Sequence, residues 1–139
     1  MCGIFGLINI SKNNYKINDL LIAMNHRGPD DNGIYKKTDD KNTILLGQNR
    51  LSILDIKNGN QPMISTNKNL IIVFNGQIYN HEILRNKLIN LGHKFKTSHS
   101  DTEVILNGYK EWGADLPKYL NGMWAFSILD IKKNKIFLS

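Results

Sequence analysis

One run of apolar residues, 70–74 within the segment 69–74, constrains the fold of this 139-residue chain most strongly. It is rich in β-branched residues, and a run of this length and type favours a buried strand. The dipeptide Asn75-Gly76 follows directly and is typical of a turn. The run is far too short to cross a membrane as a helix, and no longer apolar run occurs, so we expect a sheet-containing domain without a transmembrane segment.

Further strands and helices are predicted on both sides of this run. Apolar patterns indicate strands at 2–9, 33–35, 43–46, 123–131 and 135–138. Helices are predicted at 20–24, after Asn18-Asp19, and at 80–91, with Gly92 at its end. A third helix begins at the capping box Ser100–Glu103 and continues to about Trp112. In the 80–91 helix one face carries the apolar residues Ile83, Leu84, Leu88 and Leu91. This succession favours an α+β layered domain with mostly antiparallel strands.

Composition excludes several classes of protein. A single cysteine excludes an intramolecular disulfide framework and a cysteine-rich zinc site, and the four histidines show no metal-ligand spacing, so we expect no metal. The net charge is +6, but the lysines are scattered, which disfavours nucleic-acid binding. Residues 1–8 are apolar without a basic region or a cleavage site, which indicates mature structure and makes the cytoplasm the expected compartment.

Cys2 is a candidate nucleophile, because removal of Met1 would give one residue both a thiol and a free amine. An α-amino group has a pKa of roughly 8, so its neutral fraction could accept the thiol proton at neutral pH. A small residue at position 2 favours removal of Met1. A lone cysteine is also commonly an inert small hydrophobe, and the sequence leaves that alternative open.

Four other residues could serve a nucleophile that attacks an amino-acid amide. Arg50 follows a strand, and its planar guanidinium can bind a carboxylate with two hydrogen bonds. Asn75 and the Gly76 N–H could donate to an oxyanion. Asp101 could bind an ammonium, although the helix dipole alone favours an acid in a first helical turn. A surface arginine, an ordinary hairpin turn and a helix cap would explain the same residues.

Six short blocks that contain these residues occur in order along positions 1–139. They are MCGIFG at 1–6, HRGPD at 26–30, RLSI with GNQP at 50–53 and 59–62, NGQIYN with LR at 75–80 and 84–85, SDTEVI at 100–105, and LNGMWAF at 120–126. Together they resemble the glutaminase domain of glutamine-hydrolysing asparagine synthetases, which are class II glutamine amidotransferases. The resemblance implies one amidotransferase domain over residues 1–139. It also implies the α+β, four-layer αββα sandwich of N-terminal nucleophile hydrolases, with mostly antiparallel sheets and incomplete at its C-terminus.

The resemblance also assigns roles to individual residues. Cys2 would attack the side-chain amide of L-glutamine, with Asn75 and the Gly76 N–H as the oxyanion hole. Arg50 would hold the substrate α-carboxylate, and Asp101 its α-ammonium. The blocks at 26–30 and 79–81 would be scaffolding. The remaining substrate-binding positions would be the backbone of the segment after Arg50 and the residue after Gly76, namely Leu51, Ser52, Ile53, Leu54 and Gln77.

Two departures from the family pattern qualify this resemblance. The family usually has Glu where Gln77 stands. The glutamine of this chain lacks the negative charge that helps to hold the substrate ammonium in the family. The sequence stops at Ser139, before the synthetase domain that would follow in cis and use ATP and Mg²⁺. We therefore expect a glutaminase half that needs no cofactor, cannot make asparagine alone, and is poorly stable or associates, for example as a homodimer, through exposed sheet edges.

Two alternatives stay open on the sequence. One is the amidotransferase domain of a related enzyme with another ammonia acceptor, because the acceptor is chosen by the other domain. The second is a non-catalytic domain of the same fold, which acts in regulation or partner binding.

Overall fold

The computed structural model describes residues 2–8, 16–38, 42–51 and 60–139. Within these ranges it contains seven strands, three α-helices and two 3-10 helices. The strands are β1 (Gly3–Leu7), β2 (Asp31–Thr38), β3 (Thr43–Arg50), β4 (Met63–Ile64), β5 (Leu70–Ile78), β6 (Gly122–Asp130) and β7 (Lys135–Leu138). The helices are α1 (Ile17–Ala23), α2 (His81–Asn90) and α3 (Asp101–Trp112), with 3-10 helices at Asn25–Arg27 and Gly113–Tyr119.

The strands form two sheets, and every pairing between described strands is antiparallel. The first sheet has the order β1-β3-β2 and the second has the order β4-β5-β6-β7. The sheets face each other through β1, β3 and β5. Mostly antiparallel strands, as the sequence predicts, are confirmed.

Strand β5 is buried on both faces, which explains its continuous apolar run. Because side chains alternate along a strand, Ile71 and Val73 point toward the first sheet and pack with Leu46 there. Ile72 and Phe74 point the other way, into the larger cluster that α2 and α3 cover. Helix α1 lies on the outer face of the first sheet, where the Asn49 side chain donates to the Leu21 carbonyl at 3.1 Å. These four layers are the predicted αββα arrangement.

The predicted turn at Asn75-Gly76 is wrong, because β5 continues through both residues to Ile78. Asn75 pairs with Ala125 and Gly76 with Trp124, so β6 holds the dipeptide in the sheet. Gly76 has φ of +155°, and a Cβ there would lie 2.2 Å from the Met123 carbonyl oxygen. Glycine is therefore required here by the close approach of β6, and not by a change of chain direction.

Two predictions about the helices also need correction. In α2, Leu84 and Leu88 are buried as expected, but Ile83 is 71% exposed and Leu91 51% exposed. The Ser100 side chain does not cap α3, although α3 does begin at Asp101. The Glu103 carboxylate instead accepts from both the Lys96 and the Thr97 N–H at 2.8 Å, so the preceding loop uses the acid that a capping box would need.

Most predicted boundaries are otherwise confirmed. Helix α1 begins at Ile17, so Asn18 and Asp19 lie inside it and not before it. Strands β2 and β3 are longer than the predicted strands 33–35 and 43–46, because they pair with each other along their whole lengths. Gly92 and Gly113 follow α2 and α3 with φ of +92° and +57°. In the ranges that the structure describes, no helix has both the length and the apolar character needed to cross a membrane.

Candidate functional site

Cys2 lies directly before β1 and beside the end of β3. The register pairs Gly3 with Asn49, which brings the neighbouring Cys2 next to Arg50 and Leu51. The Leu51 N–H donates to Cys2 Sγ at 3.4 Å, and the thiol can donate to the Leu51 carbonyl oxygen at 3.7 Å. The backbone of one residue, Leu51, can therefore hold the half-buried sulfur both as a thiol and as a thiolate.

Arg50 is 5% exposed and is the last residue of β3. Its Nη1 donates to the side-chain oxygen of Asn60 at 3.1 Å. The segment 26–30 braces this strand end, since the Asp30 N–H donates to the Arg50 carbonyl at 3.1 Å. A Cβ at Gly28 would lie 2.5 Å from the Arg50 carbonyl carbon, so glycine lets the segment contact the strand backbone. This contact agrees with a scaffolding role for the segment.

A buried glutamine connects the end of β3 to the middle of β5. Gln48 Nε2 donates to the Phe74 carbonyl at 2.8 Å, and Gln48 pairs with Ile4 of β1. Cys2 and Asn75 therefore belong to the same end of the two facing sheets. The Asn75 side-chain oxygen is buried and has no hydrogen-bond partner among the described residues. This oxygen is an unsatisfied acceptor, and an N–H group of a ligand could donate to it.

Every second N–H group of β5 points to the side of the strand on which β4 lies. Because β4 pairs only with Ile71 and Ile72, this side of β5 has no partner among the described strands farther along. The Phe74 N–H donates to Gln61 Oε1 at 2.6 Å, and the Ile78 N–H donates to Asp101 Oδ2 at 3.2 Å. Strand alternation directs the Gly76 N–H, which lies between them, toward the same edge. No side chain in the described part of the chain accepts from it.

Asp101 is the first residue of α3 and is 5% exposed. Burial raises the pKa of its carboxyl above the ordinary value of 3.8, because burial disfavours the charged form. The N–H groups of Ile78 and Thr102 and the positive charge on His81 lower the pKa and offset part of this effect. No lysine or arginine of the described residues forms an ion pair with it. A positively charged group of a ligand would stabilise the charged form of this buried carboxylate.

The other predicted positions divide into two groups. Leu51 contacts the Cys2 sulfur, and Gln77 is exposed on β5 opposite Met123. The predicted positions Ser52, Ile53 and Leu54 lie outside the described residues. Over the described ranges, no three His, Cys, Asp or Glu side chains are grouped so that they could hold a metal ion.

Sequence reasoning assigned no role to three polar residues that connect these elements: Gln48, Asn60 and Gln61. The sequence pattern does indicate burial for Gln48. It is two residues after Leu46 and four after Ile44, so all three side chains lie on the same face of β3. For Asn60 and Gln61 the only signal was their place in the GNQP block.

The residues 1–139 match a protein family described as a glutamine amidotransferase domain. The chain belongs to this family. This amidotransferase domain is 38% identical over 143 aligned positions to asparagine synthetase [glutamine-hydrolyzing] 3 of Bacillus subtilis, with 99% of this chain and 22% of the relative covered.

Other relatives agree with this assignment. A putative asparagine synthetase [glutamine-hydrolyzing] 2 of Methanocaldococcus jannaschii is 44% identical over 156 aligned positions, which cover all of this domain and 30% of the relative. Asparagine synthetase [glutamine-hydrolyzing] 1 of Arabidopsis thaliana is 36% identical, with 23% of its length covered. The domain thus spans between a fifth and a third of the length of these relatives.

A solved structure supports the fold of the domain. Glutamine phosphoribosylpyrophosphate amidotransferase from B. subtilis superimposes with a TM-score of 0.62 at 26% identity. The match covers 80% of this chain and 31% of that chain. The predicted N-terminal nucleophile hydrolase fold is therefore confirmed.

Proposed function

We propose that this domain hydrolyses the side-chain amide of L-glutamine with Cys2 as the nucleophile. The observation that carries the proposal is the convergence of β1, β3, β5 and α3 at one end of the sandwich. These elements bring together a thiol, a guanidinium, an amide beside a strand-edge N–H, and a desolvated carboxylate. An N-terminal nucleophile hydrolase acting on an amino-acid amide requires this set of groups.

The covalent step uses the free α-amine that removal of Met1 would leave on Cys2. The amine accepts the thiol proton, and the sulfur forms a bond to the amide carbon of glutamine. Asn75 and the Gly76 N–H donate to the oxygen that becomes negatively charged. Collapse of the tetrahedral intermediate breaks the C–N bond, and the protonated amine returns the proton so that ammonia leaves. Water then attacks the thioester, and glutamate is released with the thiol restored.

Substrate recognition depends on charges at two places. Arg50 binds the α-carboxylate, and the planar guanidinium fits that group with two hydrogen bonds. Asp101 binds the α-ammonium, and this buried carboxylate forms no ion pair with a lysine or arginine of the described residues that would compete. The backbone of Leu51, Ser52, Ile53 and Leu54 would complete the pocket, as the family resemblance implies.

We further propose that the ammonia serves asparagine synthesis in a longer protein. The support is the identity of 36–44% to three asparagine synthetases, of which this domain covers 22–30%. Conversion of aspartate would need ATP and Mg²⁺ in a synthetase domain, whereas hydrolysis of glutamine needs neither. The cytoplasm as compartment and a homodimer stay predictions.

The N-terminal amine provides a direct test of the proposed reaction. Glutamate release from L-glutamine is measured for the chain with Met1 removed and for a chain with one extra residue retained before Cys2. The first is expected to hydrolyse glutamine and the second to be inactive, because the blocked amine cannot accept the thiol proton. Equal activity of the two forms would contradict an N-terminal nucleophile.

Restoring a carboxylate at position 77 is expected to strengthen glutamine binding. A charge-assisted hydrogen bond is about twice as strong as a neutral one. Gln77→Glu should therefore lower KM for glutamine several-fold with little change in kcat, because residue 77 is exposed and directly precedes Ile78, whose N–H donates to Asp101. Steady-state kinetics check this result, with Gln77→Ala as the control that has neither charge nor amide. An unchanged KM in Gln77→Glu would show that residue 77 does not contact the ammonium.

A further inference from the structure

The side chain of Gln61 joins the two elements that carry the proposed oxyanion donor and the proposed ammonium acceptor. Its Oε1 accepts from the Phe74 N–H at 2.6 Å, and its Nε2 donates to Thr102 Oγ1 at 3.3 Å. Phe74 directly precedes Asn75, and Thr102 directly follows Asp101. One planar amide therefore spans from β5 to the first turn of α3.

The need for this amide follows from the short edge strand. Strand β4 pairs only with Ile71 and Ile72, so the backbone of Phe74 has no strand partner on this edge. Buried backbone groups require partners, and two glutamine side chains supply them. Gln61 accepts from the Phe74 N–H, and Gln48 donates to the Phe74 carbonyl.

The backbone around Gln61 is itself fixed by the first sheet. A Cβ on Gly33 of β2 would lie 2.0 Å from the Gln61 carbonyl oxygen, so the two backbones are in close contact. The preceding residue, Asn60, accepts from Arg50 Nη1 at 3.1 Å. The Asn60-Gln61 dipeptide therefore contacts β2, β3, β5 and α3. Two of these elements, β3 and α3, carry the charged residues proposed to bind the substrate, Arg50 and Asp101.

We infer that Gln61 is a positioning residue for glutamine hydrolysis, which sets the distance between Asn75 and Asp101. This inference rests on the proposed function. Asn75 acts on the charge that develops in the transition state, so its misplacement lowers kcat. Asp101 holds an ammonium that is present throughout the reaction, so its misplacement raises KM. The two hydrogen bonds of Gln61 should therefore have separable kinetic consequences.

Two substitutions separate these consequences. Gln61→Met has a similar length and removes both hydrogen bonds, whereas Thr102→Val removes only the acceptor on α3. Asn107→Ala is the matched control, because Asn107 joins the same helix to a loop by donating to the Lys94 carbonyl at 3.3 Å. Activity is measured on glutamine and on the analogue that lacks the α-amino group, and folding is followed by thermal unfolding.

Gln61→Met is expected to lower kcat and raise KM, with a loss of about 10- to 100-fold in kcat/KM, since a misplacement of about 1 Å can cost roughly 100-fold. Thr102→Val should raise KM for glutamine with kcat nearly unchanged. The same variant should leave kcat/KM for the analogue unchanged, because the analogue offers Asp101 no ammonium. Asn107→Ala should match the wild type on both substrates.

Two results would overturn the inference while leaving the proposed function intact. The first is a folded Gln61→Met variant with wild-type kinetics. The second is a Thr102→Val variant that loses the same factor on both substrates, which would indicate a general structural role. If Gln61→Met does not fold, Thr102→Val decides alone. A wild-type chain that does not hydrolyse glutamine would overturn the proposed function and this inference together.

Discussion

Replacing Cys2 with alanine is expected to abolish detectable glutamine hydrolysis. Loss of the nucleophile has cost another hydrolase about a millionfold in kcat, because the covalent route disappears completely. Cys2→Ser should retain a trace of activity at most, since a hydroxyl is a weaker nucleophile than a thiolate. Glutamate release from glutamine measures the effect in all three proteins.

The fold should tolerate this substitution. The sulfur is half-buried, and its hydrogen bonds in the described part of the chain are with the Leu51 N–H at 3.4 Å and the Leu51 carbonyl oxygen at 3.7 Å. A neutral hydrogen bond of this kind contributes about 1 kcal/mol, so the melting temperature should fall by only a few degrees. A folded Cys2→Ala variant that retains glutaminase activity would show that another group performs the attack.

Asp101→Asn is expected to weaken glutamine binding and to stabilise the ligand-free chain at neutral pH. Binding weakens because the amide carries no charge, and a hydrogen bond to a charged group contributes about 1.5–3 kcal/mol, which corresponds to roughly 10- to 150-fold in KM. Stability rises because a buried carboxylate with a raised pKa is replaced by a neutral group of the same shape. The asparagine oxygen can still accept from the Ile78 N–H, as the Asp101 oxygen does at 3.2 Å.

The sign of the pH dependence follows from the raised pKa of Asp101. Its contribution to the free energy of unfolding is fully present below 3.8, the ordinary pKa, and is lost as the pH rises through the folded-state pKa. The gain in melting temperature for Asp101→Asn should therefore be largest at neutral pH and disappear in acid. Glutamine KM for the wild type should rise on acidification, as the carboxylate that binds the ammonium becomes protonated.

Glu103→Gln is the matched control for Asp101→Asn. The Glu103 carboxylate lies in the same helical turn and accepts from the Lys96 and Thr97 N–H groups and from Thr97 Oγ1. Its substitution should destabilise the chain without altering glutamine KM in the folded protein. If Asp101→Asn leaves KM unchanged, the acid is a structural helix residue, and the proposed mode of ammonium binding is wrong.

Local patterns in the sequence predicted the elements well and the connections between them poorly. The apolar runs of β5 and β6 are encoded within a few neighbouring residues, so both strands could be predicted. Asn75-Gly76 was predicted as a turn because glycine permits unusual backbone angles. The deciding contact is the Met123 carbonyl, which is remote in the sequence, and such cross-strand contacts cannot be read from a dipeptide.

The candidate site shows the same division. Cys2, Arg50 and Asp101 could be proposed because their chemistry is distinctive and their neighbours form recognisable blocks. Gln61 could not, because its role depends on Phe74 and Thr102 meeting at the edge left open by β4. The predicted capping box is absent for a similar reason. The Glu103 carboxylate accepts from the Lys96 N–H in the preceding loop, and this contact could not be predicted from the four residues of the box.

The intact mass of the purified chain, with and without a diazo-ketone analogue of glutamine, tests the central claim most directly. The untreated mass should correspond to a chain without Met1, and treatment should add one analogue, which displaces dinitrogen and alkylates the Cys2 sulfur. The adduct should be absent in Cys2→Ala and suppressed by excess glutamine. A folded chain that lacks Met1 and forms no adduct would contradict a glutamine pocket built around an N-terminal nucleophile.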